Sequence, residues 1–270
     1  MANPPIPKPR TKEAERAIMA SLKDAVYGAA VGDALGVPFE FMQRGSFHAT
    51  GMTGHGTHNQ PAGTWSDDTS MILATCDSIR ELGRIDPADM RKRFEAWIRK
   101  GEYAIDGNVF DFGNTVSRAL SRGEGCSEAM DNGNGSLMRI VPLAFTDATD
   151  DQVREVSAIT HAHAISMDAC VQYIRIARSL VMGEDPDILL PGEVRSGGYV
   201  LDTLGAALWC LERTGSYEEC VLTAVNLGSD TDTTACVAGA LAGIKYGYDS
   251  IPREWIDQLR GKGIIESCLF

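Results

Sequence analysis

The sequence is short of positive charge. Its 270 residues contain 25 lysines and arginines against 37 aspartates and glutamates, which gives a formal net charge of −12. A surface this acidic repels phosphate backbones, which argues against nucleic acid as a partner. The surplus carboxylates are instead candidate ligands for hard cations.

Paired cysteines and long apolar runs are also missing. The seven cysteines are scattered and form no C-x-x-C pair, as is typical of reduced thiols in a cytoplasmic protein. No stretch approaches the roughly 20 apolar residues of a membrane-spanning helix, so we expect no membrane association. The segment "MANPPIPKPR" has four prolines and no apolar core, unlike a signal peptide. We interpret residues 1–10 as a flexible arm that precedes one domain, residues 11–270.

Alternating strand patterns are nearly absent, and "GGYVLDTL" is the best of a weak set. Helical periodicity predominates, and no linker divides the chain. The sequence therefore predicts a single all-α domain. The candidate helices lie at roughly 12–34, 67–82, 87–100, 112–122, 151–162, 165–182, 199–213, 217–227, 232–247 and 253–260.

Two of these helices carry small residues at every fourth position. The stripes consist of Gly28, Gly32 and Gly36 in one helix and of Ala235, Gly239 and Gly243 in the other. Glycine inside a helix costs about 1 kcal/mol relative to alanine, so a stripe needs a compensating reason. The pattern predicts helices whose backbones approach closely.

Acids and hydroxyls cluster in three segments near such helices: "GDALGVPFE", "GTWSDDTSMIL" and "GSDTDTTA". Each cluster alone is also consistent with ordinary helix capping. If Asp230 is a non-helical cap and Asp232 lies in the first turn, both carboxylates can lean over the helix end beside Thr233. The same geometry is open to "SDD", residues 66–68. Two such ends brought face to face would form an oxygen-rich site for Mg²⁺, Mn²⁺ or Ca²⁺, but not for zinc.

Two alternative roles for these acids fit the residues less well. An EF-hand loop starting at Asp230 would need glycine and glutamate where the chain has Ala235 and Leu241. A prenyl-diphosphate enzyme would need D-D-x-x-D, and "DDTSM" ends in Met71. The pairs "HGTH" and "HAH" have no thiolate nearby, and the second favours a histidine at a pocket wall over a zinc site.

Two further segments leave alternatives open. The exposed amides of "MDNGNGSLMRIVPLA" are typical of a phosphate-binding loop before a helix starting at Ser136, although an ordinary turn accounts for them equally well. In "VFDFGNT", Asp111 precedes a helix between two phenylalanines. It is either a capping acid or a partly desolvated catalytic carboxylate.

In order along the chain, "GAAVGDALGVPFE", "GTWSDDTSM", "NGNGSLMR", "ITHAH" and "GSDTDTTACVAGALAGI" resemble the ADP-ribosylglycohydrolase family over about residues 24–247. Ser229 departs from the pattern, since the family usually has a second glycine there. The resemblance implies a compact, single-domain orthogonal helix bundle with two Mg²⁺ or Mn²⁺ ions. It also implies hydrolytic release of ADP-ribose from modified protein side chains, with the modified protein as substrate and ADP-ribose as product.

The resemblance also assigns roles to individual residues. The implied metal ligands are Ser66, Asp67, Asp68, Asp230, Asp232 and Thr233. The implied diphosphate loop consists of Asn132, Gly133, Asn134, Gly135 and Ser136. Glu40 would lie at the edge of the metal site, His161 would flank the pocket, and Asp111 would be the acid/base carboxylate, which favours ADP-ribosyl-arginine as substrate.

Three alternatives stay open at this point. The bond cleaved could join ADP-ribose to serine or to a small molecule. A non-catalytic relative could bind ADP-ribose or block a toxin or enzyme partner, and the proline-rich arm keeps partner binding open as an added activity. Because every expected acid is present, the sequence favours catalysis over binding alone.

Overall fold

The computed structural model describes residues 20–270, so the predicted N-terminal arm and the first part of the first candidate helix lie outside the described residues. The described part of the chain is helical, with isolated bridges and no extended strand. None of its helices is long and apolar enough to cross a membrane. The α-helices are α1 (Leu22–Gly36), α2 (Asp67–Leu82), α3 (Pro87–Lys100), α4 (Asn114–Arg122), α5 (Asp150–Ser157), α6 (Ala164–Val181), α7 (Val200–Arg213), α8 (Tyr217–Asn226), α9 (Thr231–Tyr246), α10 (Arg253–Gln258) and α11 (Lys262–Cys268).

Helices α1 and α9 form the centre of the bundle, and their small-residue stripes face each other. A methyl group added at Gly32 would come within 2.1 Å of the Ala235 carbonyl oxygen, and one at Gly28 within 2.3 Å of the Gly239 carbonyl oxygen. The predicted close approach of backbones is therefore confirmed. Because the helices are antiparallel, the end of α1 meets the start of α9, where a Gly36 methyl would lie 2.3 Å from the Asp232 Cα.

Neighbouring helices hold this central pair in place through buried tyrosines. Tyr217 of α8 donates a hydrogen bond to the Gly28 carbonyl at 2.7 Å. Tyr173 of α6 donates to the Val237 carbonyl at 3.0 Å. Both rings are buried, so each hydroxyl needs a hydrogen-bond partner inside the core, and a backbone carbonyl of the central pair provides it.

Two expectations about secondary structure were wrong and one helix was missed. "GGYVLDTL" is not a strand, since α7 begins inside it at Val200 and its buried Leu204, Leu208 and Leu211 follow helical spacing. Ser136 does not start a helix but lies in a run of turns. Helix α11 spans seven residues, too few for periodicity to reveal. The other candidate helices are confirmed, with ends that differ by a few residues.

Candidate active site

The starts of α2 and α9 and the segment that follows α1 border a cavity of about 1010 Å³. Four carboxylates line it, those of Glu40, Asp67, Asp111 and Asp230. The wall also includes Thr233, His161 and the glycines of the 133–135 segment. The site is therefore assembled from segments that are far apart in the sequence.

The start of α9 has the predicted shape. Asp230 occupies the non-helical N-cap position, with φ −91° and ψ 78°, and Asp232 lies in the first turn. The Asp230 carboxylate does not cap the helix; it accepts a hydrogen bond from the Asn134 amide at 2.8 Å. Asp232 Oδ1 accepts from the Thr233 N–H at 3.0 Å. Both carboxylates are thus directed over the helix end.

The start of α2 faces the start of α9. Ser66 is the N-cap of α2, and its hydroxyl donates to Asp68 Oδ2 at 3.1 Å. The Thr233 hydroxyl of α9 reaches the same Asp68 oxygen at 3.3 Å. The two helix ends that the sequence suggested could meet are therefore in contact, through a hydroxyl and a carboxylate.

Asp33 of α1 fixes this junction and was given no role from the sequence. One carboxylate oxygen accepts from the Ser66 N–H at 2.9 Å, and the other accepts from the Thr69 N–H and hydroxyl at 3.0 and 2.6 Å. Asp33 therefore caps α2 from outside that helix. The available signal was an aspartate within the otherwise small and apolar run "GAAVGDALG".

Three carboxylates at this junction each have one oxygen without a hydrogen-bond partner among the described residues. Asp68 Oδ1, Asp230 Oδ1 and Asp232 Oδ2 are buried and receive no hydrogen bond from residues 20–270. Carboxylate oxygens of Asp33, Asp68 and Asp232 lie within 4.8 Å of one another, and so do those of Glu40, Asp230 and Asp232. Leaving buried charged oxygens unpaired is costly, and a hard cation coordinated by oxygen would remove that cost. The donor set fits such a cation.

The raised pKa values of the acids are also consistent with a cation site. Burial, followed by the repulsion of neighbouring carboxylates, raises the pKa of Asp67, Asp68 and Asp232 well above the usual range of an aspartate. A bound cation would reverse the effect by stabilising the charged forms.

A second group, Glu40, His58 and Asp111, lies at the edge of the acidic junction. His58 Nε2 is hydrogen-bonded to Glu40 Oε2 and lies 3.7 Å from Asp111 Oδ1. Burial above all raises the pKa of Glu40 and of Asp111 to about 7; repulsion from Asp230 and Asp33 adds to the rise at Glu40, and repulsion from Glu40 adds to it at Asp111. His58 was missed as a site residue, because "HGTH" has no spacing that indicates this role.

Asp111 faces the cavity and does not cap the following helix. The N-cap of α4 is Gly113, which has no side-chain cap. Asp111 has a left-handed backbone conformation, with φ 64°. A non-glycine residue with positive φ is uncommon, and such strain is often found at functional sites.

The glycine-rich loop forms another wall. Gly133, Asn134 and Gly135 line the cavity beside His161, and a methyl at Gly135 would lie 2.9 Å from His161 Cε1. Burial, with the nearby Arg139 guanidinium, lowers the pKa of His161 to about 3, so the ring is neutral.

The other two loop residues lie behind this wall. The Asn132 side chain accepts from the Ser166 hydroxyl at 3.0 Å. The Ser136 hydroxyl accepts from the Ser157 hydroxyl at 2.9 Å and contacts the Cys170 thiol. These two side chains hold the loop onto the helices behind it.

Comparison with known proteins gives consistent results. The family model described as ADP-ribosylglycohydrolase matches residues 14–194 and 188–269. The ADP-ribosylarginine hydrolase Tri1 of Serratia proteamaculans is 33% identical, over 95% of this chain and 78% of that protein. The ADP-ribosyl-(dinitrogen reductase) glycohydrolase of Rhodospirillum rubrum is 33% identical, over 87% of this chain and 88% of that protein. A solved structure of an ADP-ribosylglycohydrolase-related protein complex has a TM-score of 0.76 and 31% identity, covering 91% of this chain and 94% of that one. This chain belongs to the ADP-ribosylglycohydrolase family.

Proposed function

We propose that this protein is a metal-dependent hydrolase that releases ADP-ribose from modified protein side chains, with ADP-ribosyl-arginine as the preferred substrate. The observation that carries the proposal is the set of buried carboxylate oxygens without partners at a cavity lined by further acids and a glycine-rich loop. The names of the relatives from Serratia proteamaculans and Pseudomonas putida, both ADP-ribosylarginine hydrolases, support the choice of arginine.

The proposed cofactor is a pair of Mg²⁺ or Mn²⁺ ions. The residues that would hold them are Ser66, Asp67, Asp68, Asp230, Asp232 and Thr233. Bound ions would polarise substrate oxygens and lower the pKa of an attacking water. The unpartnered oxygens of Asp68, Asp230 and Asp232 support this assignment.

The acids at the cavity favour a cationic leaving group. Hydrolysis of a glycosidic bond passes through a transition state resembling an oxocarbenium ion, and the leaving group must keep or gain a proton. Guanidinium is a cation that Asp111 and Glu40 can pair with. Asp111 is partly buried at the cavity wall, where its carboxyl can exchange a proton with the leaving group. A serine hydroxyl would bring no charge for these acids to balance.

The glycine-rich loop is proposed to bind the diphosphate. The N–H groups of Gly133 and Gly135 donate to no acceptor within residues 20–270. Free amides of this kind are typical of phosphate-binding loops. The neutral His161 ring packs behind the two glycines and holds the loop in place without adding charge.

The decisive experiment measures release of ADP-ribose from arginine-linked and serine-linked substrates, each incubated with the protein in Mg²⁺, in Mn²⁺ and in excess chelator. We expect release of ADP-ribose from arginine only, and loss of release in chelator. Asp67→Ala and Asp232→Ala should abolish release, whereas the exposed Asp185→Ala serves as the matched control. Full release in chelator, or full activity of either site variant, would refute the metal-dependent mechanism, and preferential release from serine would refute the choice of substrate.

Asp111→Ala separates catalysis from binding. We expect it to lose turnover while it still binds ADP-ribose, because the leaving group is absent from that ligand. Calorimetric titration with ADP-ribose beside the rate measurement checks this. Equal loss of binding and turnover would make Asp111 a positioning residue.

A toxin or enzyme partner and a cytoplasmic location are part of the same proposal. The proline-rich composition of residues 1–10 supports partner binding by this segment. Deleting residues 1–10 should leave hydrolysis unchanged and weaken partner binding. A deletion variant that binds its partner as well as the full chain would contradict this role.

A further inference from the structure

One basic side chain lies in the wall of the acidic cavity. Within residues 20–270, Arg118 is the single lysine or arginine that lines it, alongside four carboxylates. The lining histidine, His161, is neutral because burial lowers its pKa to about 3. Among residues 20–270, Arg118 is therefore the one side chain with a fixed positive charge that a ligand in this cavity would meet.

A buried carboxylate holds Arg118 next to the glycine-rich loop. Arg118 Nη2 donates to Asp131 Oδ1, and the Asp131 side chain is only 3% exposed. Asp131 Oδ2 accepts from the Glu128 N–H at 3.1 Å, which fixes the carboxylate two residues before Gly133. Val116, on the same helix as Arg118, packs against Gly135, since a methyl there would come within 3.0 Å of Val116 Cγ2. Asp131 thus holds the guanidinium, and the packing of Val116 holds its helix against the loop.

The pairing with Asp131 leaves most of the guanidinium donors unused. Arginine has five N–H donors, and the Arg118 side chain makes one hydrogen bond to the described residues, that to Asp131. Its Nε is buried and has no partner within residues 20–270, while the side chain as a whole is 42% exposed. The exposed part of the side chain lines the cavity, so its unused donors are open to an anion there.

We propose that Arg118 binds the diphosphate of ADP-ribose and is the side-chain charge that offsets the carboxylates at this end of the acidic cavity. The inference rests on the proposed function and assigns the phosphate end of the ligand. Arginine suits this role because its planar fork binds phosphate oxygens by two hydrogen bonds at once. The free amides of the loop supply dipoles, whereas Arg118 supplies a full charge.

The position of Arg118 determines which kinetic constant it affects. Arg118 lies by the glycine-rich loop, whereas Asp111 and the acidic junction would face the bond that breaks. A contact to the diphosphate is the same in the bound substrate and in the transition state, so it contributes uniform binding. Loss of Arg118 should therefore raise KM and leave kcat unchanged.

The test compares ADP-ribose binding by wild type, Arg118→Gln and Arg118→Lys, measured by calorimetry. We expect Arg118→Gln to weaken binding on the order of 10- to 100-fold, as for the loss of a hydrogen bond to a charged group, and Arg118→Lys to recover part of it. Arg122→Gln is the matched control, since Arg122 lies one turn further along the same helix, is exposed, and does not line the cavity. The Arg118→Gln protein should also lose part of the salt dependence of binding.

A double variant separates phosphate binding from support of Asp131. If Arg118 only neutralises the buried Asp131, then Arg118→Gln with Asp131→Asn should restore ADP-ribose binding. If Arg118 binds the diphosphate, the double variant stays weak. Restored binding would overturn the inference, and so would an equal loss of affinity for adenosine, which has no phosphate.

The two proposals fail in different ways. Wild-type protein that binds ADP-ribose and hydrolyses the arginine linkage, with Arg118→Gln unchanged in both, would overturn the inference about Arg118 alone. Wild-type protein that does neither would overturn the proposed function, and the role of Arg118 with it.

Discussion

Replacing Gly36 by alanine tests how the close contact between α1 and α9 positions the acids. The added Cβ would lie 2.3 Å from the Asp232 Cα and 2.4 Å from its N, whereas ordinary contacts begin at 3.4 Å. The clash is with backbone, so no side chain can rotate to relieve it. The start of α9 must move by about 1 Å, and Asp232 with it, which changes the distances from Asp232 to Asp33 and Asp68. Misplacing a catalytic constellation by this much can lower a rate by about 100-fold.

The stability cost should be modest by comparison. Overpacking a core costs about 1–3 kcal/mol, and replacing glycine by alanine in a helix returns about 1 kcal/mol. The net loss of roughly 0–2 kcal/mol corresponds to a fall of melting temperature of at most about 8 °C for a chain of this size. The variant should therefore stay folded near 25 °C while losing Mn²⁺ affinity and hydrolysis.

Two matched variants make the result interpretable. Gly28→Ala produces the same 2.3 Å clash with α9, but lies two turns earlier, about 12 Å along the helix. It should lose similar stability and retain more activity. Gly263→Ala, where an added methyl meets nothing within 4 Å, should be neutral or stabilising. Full activity and an unchanged melting temperature in Gly36→Ala would refute the reasoning, as would equal losses of activity in Gly28→Ala and Gly36→Ala.

The remaining predictions concern the acids and His58. Asp33→Asn should destabilise the protein by about 1–3 kcal/mol and weaken Mn²⁺ binding, because an amide cannot accept all three hydrogen bonds that hold the start of α2. A chemical denaturation midpoint equal to that of the wild type would contradict this prediction. His58→Ala should lower kcat, because the Glu40 side chain loses the hydrogen bond that holds it. His58→Gln should retain more activity, because its amide can still donate to Glu40. Equal rates in the two variants would argue against the positioning of Glu40 by this hydrogen bond. Stabilisation by Mn²⁺ should be larger at pH 8 than at pH 6, as measured by melting temperature. The pKa values of Glu40 and Asp111 are raised to about 7, so the metal-free protein loses stability as these carboxyls ionise and the pH rises through 7. A bound cation would remove the repulsion between the ionised carboxylates. An equal or larger rise of melting temperature with Mn²⁺ at pH 6 would contradict this pH dependence.

The helical architecture and the close approach of other backbones to the two small-residue stripes followed from the sequence alone. Periodic apolar residues predict helices because each helix must bury one face. A stripe of small residues at every fourth position predicts close backbones because small side chains leave that space. The start of α9 was also predictable, since residues two apart converge only when one of them lies outside the helix. These properties depend on neighbours within a few turns of the chain.

Which segments meet depends on the packing of the helices. Asp33 was visible in the sequence, but its three hydrogen bonds to the start of α2 depend on how α1 and α2 cross. His58 reaches Glu40 across a loop with no periodicity, and Arg118 becomes the basic side chain of the cavity only because α4 packs beside the glycine-rich loop. Local sequence thus specifies the helices and the chemistry at their ends. The tertiary structure decides which carboxylate oxygens become buried without a partner. Burial and repulsion depend on distances between remote segments, and those distances are not determined by the local sequence.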